Sequence, residues 1–252
     1  MSVYACSDLH GNLDLYKQIK SFLKREDTVY FLGDAGDRGK YNWETIKAVL
    51  DDRQFFYIRG NHDDMLEECM NDYLSNGLNG LRNSDKYLQL SYNGGRDTFR
   101  DWLQEEPMKQ REYYHKLMAL PNYLKYQNKD GKLIVLSHAG FHPNPEHPDW
   151  YGWCEDLIWD REHIWLRWPH DADENLIIIH GHTPIQVLID NLQWLDRTIK
   201  MPELPTAYWY CDNHKCCIDN GTYFTHCITL LDLDTFETHA FYDEKYNPEG
   251  EE

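Results

Sequence analysis

The sequence lacks any apolar run long enough to cross a bilayer, and it is poor in basic residues. Its 25 Lys and Arg stand against 43 Asp and Glu, which gives a formal net charge of −18 at pH 7. Broad nucleic-acid binding and docking on an anionic membrane both need basic surfaces, so we expect neither. An anionic substrate stays compatible with this charge, provided that positive charge is concentrated in a pocket.

The sequence also lacks two signs of secretion. Residues 1–6 lead directly into a strand pattern, without a basic region and a following apolar stretch, so we expect no signal peptide. The 7 cysteines are odd in number and scattered in a chain large enough to bury a core without disulfides. We therefore expect free thiols and a cytoplasmic location.

The content of apolar residues indicates a folded chain. Hydrophobic residues make up 41% and aromatic residues 14% of the 252 positions, which excludes a disordered protein. No internal repeat or linker is visible. We expect one domain over residues 1–246 and a frayed acidic tail over residues 247–252.

The order of strand and helix patterns predicts an α/β fold. Strand patterns at residues 2–7, 28–32 and 55–58 alternate with two helical patterns, which predicts a parallel sheet with helices on its faces. Residues 65–120 are rich in helix formers and predict a helical insertion over the sheet edge. Further strands are expected at residues 123–126, 132–136, 176–179, 186–189, 216–219, 226–232 and 238–242.

Five short segments place Asp, Asn or His in a tight turn directly after an apolar strand. They are residues 7–11, 33–39, 59–63, 137–140 and 180–184. Polar residues beyond the carboxyl ends of parallel strands converge on one crevice, although each one alone would be an ordinary turn residue. Carboxylate, imidazole and amide oxygen suit divalent metals. Asp8 and His10 would point the same way in extended backbone and share a metal, and the Asp34 carboxylate could bridge two.

These segments contain the motifs D-x-H-G, G-D-x-x-D-R-G and G-N-H-[DE], followed by two His segments. In this order, from Asp8 to about Gly221, the chain resembles the calcineurin-like metallophosphoesterases. The likeness is to their phosphoprotein phosphatase (serine/threonine phosphatase) branch with its bacterial and phage members. The resemblance implies an α+β fold of four layers, in which helices flank a β-sandwich of mixed sheets.

The resemblance also implies the roles of single residues. Two divalent cations, manganese first and iron or zinc as alternatives, would be bound by Asp8, His10, Asp34, Asn61, His138 and His182. His62 would protonate the leaving alkoxide and be oriented by Asp37. Arg38, Arg161 and Asn61 would contact the substrate phosphate.

The activity expected from the resemblance is hydrolysis of phosphoserine and phosphothreonine in proteins, by direct attack of a water that bridges the metals. The partner would be a phosphorylated protein or a small phosphoester. One alternative is a hydrolase of dinucleoside polyphosphates such as diadenosine tetraphosphate. A non-catalytic phosphate-binding module is the other, and His62 argues against it because a binder needs no leaving-group acid. The sequence gives no indication of the oligomeric state.

Several residues allow a second interpretation. Arg161 could instead pack on a nearby Trp, and His62 could be a hydrogen-bond donor behind the ligands. We expect His180 to be a structural neighbour of His182. The turn Asn93-Gly94-Gly95 either faces the site or caps a helix. The aromatic residues between positions 150 and 168 either line a substrate groove or pack in the core.

Two further features concern residues outside the expected ligand set. Cys211, His214, Cys216 and Cys217 invite a zinc site, but Cys216 and Cys217 would point to opposite faces of one strand. The small pair Ala35-Gly36 could loosen its turn. Asp63 stands where the animal enzymes of this family have Glu. We expect this difference to change only contacts around the metal ligands and not the ligands themselves.

Overall fold

The computed structural model describes residues 1–81 and 84–243. The strands are β1 Val3–Cys6, β2 Thr28–Phe31, β3 Phe55–Tyr57, β4 Tyr123–Gln127, β5 Leu133–Ser137, β6 Leu176–His180, β7 Tyr208–Tyr210, β8 Lys215–Cys217, β9 Cys227–Asp232 and β10 Thr238–Tyr242. The helices are α1 Leu13–Phe22, α2 Asn42–Leu50, α3 Asn61–Asn76, α4 Leu78–Leu81, α5 Asp85–Tyr92, α6 Arg96–Leu103, α7 Pro107–Met118, α8 Cys154–Trp159, α9 Ile185–Leu195 and α10 Thr222–Thr225, with a 3-10 helix at Glu162–Trp165.

The strands form two mixed sheets of five strands each. The first has the order β10-β9-β1-β2-β3, and the second the order β4-β5-β6-β8-β7. In the first sheet β1, β2 and β3 are parallel, and β9 and β10 are antiparallel additions. In the second sheet β5, β6 and β8 are parallel, and β4 and β7 form antiparallel edges. Each sheet therefore has a parallel centre whose carboxyl ends can carry a site.

Apolar side chains join the two sheets face to face. Ala5 and Leu231 of the first sheet are fully buried in one cluster with Ile134 and Ile179 of the second. Helices cover the outer faces: α1, α2 and the helices α3 to α7 lie on the first sheet, and α9 packs on the second. The predicted four-layer sandwich of mixed sheets is thus confirmed, because each sheet buries one face on the other and one on helices.

The insertion starts earlier than expected. Helix α3 begins at Asn61 rather than near residue 65, so two expected site residues lie in its first turn. The helices of the insertion share an aromatic core that includes Tyr73, Phe99 and Trp102, with ring centroids 5.3–6.3 Å apart. This packing fixes the insertion on the outer face of the first sheet.

One expected strand is wrong. Residues 186–189 lie in helix α9, whose buried residues are Ile185, Leu188, Ile189 and Leu192. Their spacing of three and four positions places them on one helix face, and this pattern outweighs the β-branched residues that suggested a strand. The short edge strand β7 was not expected at all. The predicted acidic tail at residues 247–252 lies outside the described residues. Within residues 1–81 and 84–243, no helix has the length and hydrophobicity that a membrane crossing needs.

Candidate metal centre and active site

The expected ligands lie at one edge of the sandwich, where parallel strands of both sheets end. From the first sheet, Asp8 and His10 follow β1, Asp34 follows β2, and Asn61 follows β3. From the second sheet, His138 follows β5 and His182 follows β6. All six side chains are buried.

The backbone at these turns is left-handed rather than extended. Asp8, His10, Asp34 and His182 have φ angles of 56°, 43°, 61° and 64°. The expectation that Asp8 and His10 share a side of extended backbone is therefore wrong. They meet through a turn instead, with His10 Nε2 3.8 Å from Asp8 Oδ1. Such backbone costs roughly 1–3 kcal/mol per residue and is typical of functional sites.

Asp34 occupies the centre of the cluster. Its Oδ2 lies 3.3 Å from His138 Nε2 and 3.9 Å from both His10 Nε2 and His62 Nε2. Two groups of three residues bring potential metal-binding atoms within 4.8 Å of one another, namely His10, Asp34 and His62, and Asp8, Asp34 and His138. Asp34 belongs to both groups, as a bridging carboxylate would.

Asn61 joins the remaining histidines to this centre. Its Oδ1 lies 2.9 Å from His138 Nε2 and 2.9 Å from His182 Nδ1. The backbone N–H of His182 also donates to Asp8 Oδ2 over 3.1 Å. Ligands from the two sheets are thus in direct contact.

The electrostatics of the cluster fit divalent cations. Burial, together with the Asp34 charge, raises the pKa of Asp8 to about 6. Burial lowers the pKa of His10 to about 3 and that of His182 well below its usual value, which leaves these two imidazoles neutral. Burial also lowers the pKa of His138, but the Asp34 charge outweighs it and raises the pKa to about 10, so a cation bound there would displace a proton. The buried Nε2 of His182 has no hydrogen-bond partner among the described residues. Buried carboxylates, neutral imidazoles and an amide oxygen are donors that divalent metals accept, so these residues fit a metal centre.

His62 and Asp37 form a buried pair beside the cluster. His62 Nδ1 lies 2.7 Å from Asp37 Oδ2. Burial lowers the pKa of His62, but the Asp34 charge and the Asp37 hydrogen bond outweigh it and raise the pKa above its usual value. A histidine held in this way can donate a proton.

Arg38 extends across the same group. Its guanidinium nitrogens lie 2.7 Å from His62 Nε2 and 3.1 Å from His10 Nε2. Because a guanidinium only donates hydrogen bonds, the His62 nitrogen that accepts one is unprotonated in this arrangement. His10 Nδ1 lies 3.0 Å from the Gly36 carbonyl, which fixes its tautomer and leaves Nε2 as the nitrogen that could bind a metal.

Two clefts open next to the cluster. One of about 550 Å³ is lined by Arg38 and Arg161 and bordered by Tyr92 and Trp159. The other, of about 410 Å³, contains His10, Lys40 and Tyr41, and Tyr223 lines both clefts. A larger cavity of about 710 Å³ around Trp168 and Trp209 includes none of the expected site residues, so the chemistry places the site in the smaller clefts.

Residues 1–197 match the family model described as calcineurin-like phosphoesterase. The chain belongs to this family. It is accordingly a metal-dependent phosphoester hydrolase, and the clustered His and Asp side chains are candidates for the two divalent metals that the family typically binds.

Solved structures share its fold. A candidate diadenosine tetraphosphatase has a TM-score of 0.61 at 12% identity, covering 97% of this chain and 94% of that one. A protein serine/threonine phosphatase from Saccharomyces cerevisiae has a TM-score of 0.56 at 12% identity, covering 98% and 82%. A cold-active protein-tyrosine phosphatase from a Shewanella species has a TM-score of 0.52 at 14% identity, covering 96% and 77%. A comparison with curated protein sequences finds no match to this chain.

Sequence reasoning missed one aromatic residue of this phosphoesterase site. The Tyr223 ring centroid lies 5.0 Å from the Arg38 guanidinium carbon and 5.7 Å from the His10 ring centroid. Tyr223 follows β8, the third parallel strand of the second sheet. The strand pattern that ends in a turn near Asn220-Gly221 was a signal for it, since the other site segments share that layout.

The turn Asn93-Gly94-Gly95 fits both of its interpretations. Asn93 is the C-cap of α5 and Gly95 the N-cap of α6, while Gly94 lines the cleft beside Arg38. Arg161 and Trp159 line the same cleft. The remaining expected contacts of Arg161 and Asn61 with phosphate stay predictions.

Other residues singled out in the sequence lie away from the cluster. His180 Nε2 lies 2.7 Å from the Tyr210 hydroxyl and its Nδ1 3.0 Å from the Gly181 carbonyl, so both ring nitrogens contact groups outside the expected ligand set. Cys216 packs between the sheets and Cys217 packs under α9, on opposite faces of β8. Among the described residues, neither candidate metal group contains a cysteine.

The two departures from the family pattern are accommodated by local contacts. The Ala35 N–H donates a hydrogen bond to the Tyr57 hydroxyl over 3.2 Å. This bond holds the turn in place despite the small side chains of Ala35 and Gly36. Asp63 accepts hydrogen bonds from the backbone of Asp34 and Gly60 and from Tyr57. It therefore supports the turns from behind.

Proposed function

We propose that this phosphoesterase hydrolyses phosphomonoesters with two divalent cations, and that its substrates are phosphoserine and phosphothreonine in proteins. One observation carries the proposal: Asp34 belongs to both groups of candidate ligands, and the pair His62–Asp37 and Arg38 lie directly beside it. A leaving-group acid next to a metal centre has a use in hydrolysis and none in mere binding.

The assignment of ligands follows the family resemblance, and the contacts of His10 with Asp8 and of Asn61 with His138 and His182 support it. Asp8 and His10 would hold one cation, Asn61, His138 and His182 the other, and Asp34 both. When bound, the cations supply positive charge that activates water and holds phosphoryl oxygens. Manganese is the proposed metal, with iron or zinc as alternatives, because the donors are a mixture of hard and borderline types.

Arg38 links substrate binding to proton transfer. In this structure the Arg38 guanidinium contacts two imidazoles. A substrate phosphate is charged and is therefore a stronger hydrogen-bond acceptor for that guanidinium. Once Arg38 turns to the phosphate, His62 Nε2 is free to hold a proton, and Asp37 at Nδ1 keeps the ring oriented. His62 can then take up a proton from solvent at Nε2 and deliver it to the leaving oxygen, while Arg161, which lines the same cleft, holds the phosphate.

The proposed substrate class follows from this acid. Serine and threonine alkoxides are poor leaving groups and need a proton, which His62 is placed to supply. The cleft is open and bordered by the exposed Tyr92, so it can admit a side chain that projects from a protein.

The acidic chain argues against nucleic-acid or membrane partners, and its unpaired cysteines fit a cytoplasmic location.

A second candidate function rests on the two clefts that meet at Tyr223. A dinucleoside polyphosphate has a nucleoside at each end, and two clefts that both adjoin expected ligands could hold them. The shared metal centre serves either substrate, so the clefts must decide.

Turnover of a phosphothreonine peptide and of diadenosine tetraphosphate, compared in the presence of manganese, tests these proposals. We expect higher kcat/KM on the peptide. Preference for the dinucleotide would favour the second candidate. Tight phosphate binding without turnover of either substrate or of p-nitrophenyl phosphate would contradict catalysis altogether.

A further inference from the structure

Asp37 and Arg38 have an unusual backbone that neighbouring residues must hold. Both have a φ angle of 65°, so two successive residues with side chains are left-handed. This conformation is disfavoured for residues other than glycine and persists only where surrounding contacts impose it. The contacts come largely from the insertion, at the junction of α5 and α6.

Gly94 packs against the backbone of Arg38. The Arg38 N–H points at the Gly94 carbonyl over 3.4 Å. A β-carbon at Gly94 would lie 3.1 Å from Arg38 Cγ and 3.4 Å from its backbone nitrogen, and Gly94 itself has a φ angle of +90°. Glycine is therefore required for this close approach.

The next residues of the junction reach the Asp37 carboxylate. A β-carbon at Gly95 would lie 2.6 Å from Asp37 Oδ2, so the carboxylate is packed directly against that backbone. One turn into α6, the fully buried Thr98 hydroxyl donates a hydrogen bond to Asp37 Oδ1. The other carboxylate oxygen lies 2.7 Å from His62 Nδ1.

These contacts form a continuous chain from the insertion to the proposed acid. Asp37 is buried, and a buried carboxylate needs a partner for each oxygen. Thr98 serves one oxygen and His62 the other, so the direction of the Thr98 hydroxyl fixes the rotation of the carboxylate. The carboxylate in turn fixes the plane of the His62 ring.

We propose that Thr98 is a positioning residue, which orients Asp37 and through it the proton donor His62. The inference rests on the proposed function of His62. It adds that the helical insertion is part of the catalytic apparatus, because it supplies the hydrogen bond that aligns the acid.

The first test compares two esters whose leaving groups differ in their need for a proton. Phenolate needs protonation more than p-nitrophenolate, so loss of an aligned acid affects phenyl phosphate more. We expect Thr98→Val to lower kcat on phenyl phosphate about 10- to 100-fold, with a much smaller loss on p-nitrophenyl phosphate. Thr98→Ser, which keeps the hydroxyl, should restore both rates.

A matched control separates this effect from loss of packing. Thr229 is also fully buried, and its hydroxyl has no hydrogen-bond partner among the described residues. Thr229→Val should leave both rates unchanged. Equal losses on the two esters in Thr98→Val, or no loss at all, would overturn the proposal.

A second readout does not depend on turnover. The proton between His62 Nδ1 and Asp37 should give a downfield ¹H NMR signal in zinc-loaded protein, identified by its absence from His62→Asn. We expect Thr98→Val to shift or abolish this signal and Thr98→Ser to keep it. An unchanged signal in Thr98→Val would refute the positioning role. If wild-type protein hydrolyses neither ester, the proposed function fails, and the NMR comparison still decides the role of Thr98.

Discussion

Replacement of His62 by Asn distinguishes a proton donor from a metal ligand. The structure allows both roles, since His62 Nε2 lies 3.9 Å from Asp34 Oδ2 and within a candidate metal group. The contact of Nδ1 with Asp37 at 2.7 Å and the raised pKa of the ring favour the donor. Asn can occupy the first turn of α3 but cannot donate a titratable proton.

The expected size of the effect follows from general acid catalysis. Such catalysis contributes about 10²- to 10⁴-fold in rate, which corresponds to roughly 3–5 kcal/mol of transition-state stabilisation. His62→Asn should therefore lower kcat on an alkyl phosphate by about this factor and change KM little. Binding of the substrate phosphate is assigned to Arg38 and Arg161, which the substitution leaves in place.

The assay measures metal content together with rate. Purified wild-type and His62→Asn proteins are loaded with manganese, freed of excess metal, and analysed by mass spectrometry for bound metal before kcat is determined. We expect about two ions per chain in both proteins. A fall toward one ion in the variant would refute the reasoning, because it would make His62 a ligand and leave the leaving group without its acid.

Four other substitutions, one of them a control, test separate parts of the structure. Asp34→Asn should lower bound metal and kcat together, as measured by mass spectrometry and turnover, and a full metal complement would contradict the bridging role. Gly94→Ala should lower kcat/KM by about tenfold through displacement of Arg38. Gly77→Ala is the control: Gly77 has a φ angle of +61° and no atom lies within 4 Å of an added β-carbon, so this substitution should lower stability but not kcat/KM. Equal losses of kcat/KM in the Gly94 and Gly77 variants would contradict the role of Gly94. Burial lowers the pKa of Lys215 from 10.5 to about 8. Between these two pH values the unfolded chain holds a proton on Lys215 that the folded chain has lost, so the stability of the wild type rises with pH in this range. Relative to Lys215→Met, the free energy of unfolding should rise by roughly 2–3 kcal/mol from about pH 7 to about pH 10 in urea titrations, and a difference independent of pH would contradict the assignment.

Much of the fold could be predicted because its strands carry strong local patterns. The apolar runs before Asp8, Asp34 and His138 are strands, each followed by a turn at the same edge. The wrong strand prediction at residues 186–189 came from the Ile and Val residues there, which favour strands locally. The spacing of the buried apolar residues from Ile185 to Leu192, at three and four positions, is that of a helix. Local composition is a weaker guide than periodicity over two turns.

The parts of the site that could not be predicted depend on tertiary contacts. Asp8 and His10 meet through left-handed turns, a conformation that their residue types do not require. Thr98 and Tyr223 lie far along the chain from Arg38, and only the packing of the insertion and the end of β8 brings them near it. A single Thr or Tyr in a helical pattern carries no sign of such a contact.

The division of the site between elements bears on its specificity. The candidate ligands come from strand ends of both sheets, which the whole fold positions, and their contacts join the sheets at Asn61 and His182. The walls of the clefts come from other segments: Tyr92 and Gly94 from the insertion, Trp159 and Arg161 from the region around α8, and Tyr223 from α10, which follows β8. Changes in these segments can alter the substrate without disturbing a ligand. We therefore expect the metal centre to depend on the sheet ends, and the choice between a phosphoprotein and a nucleotide to depend on the walls.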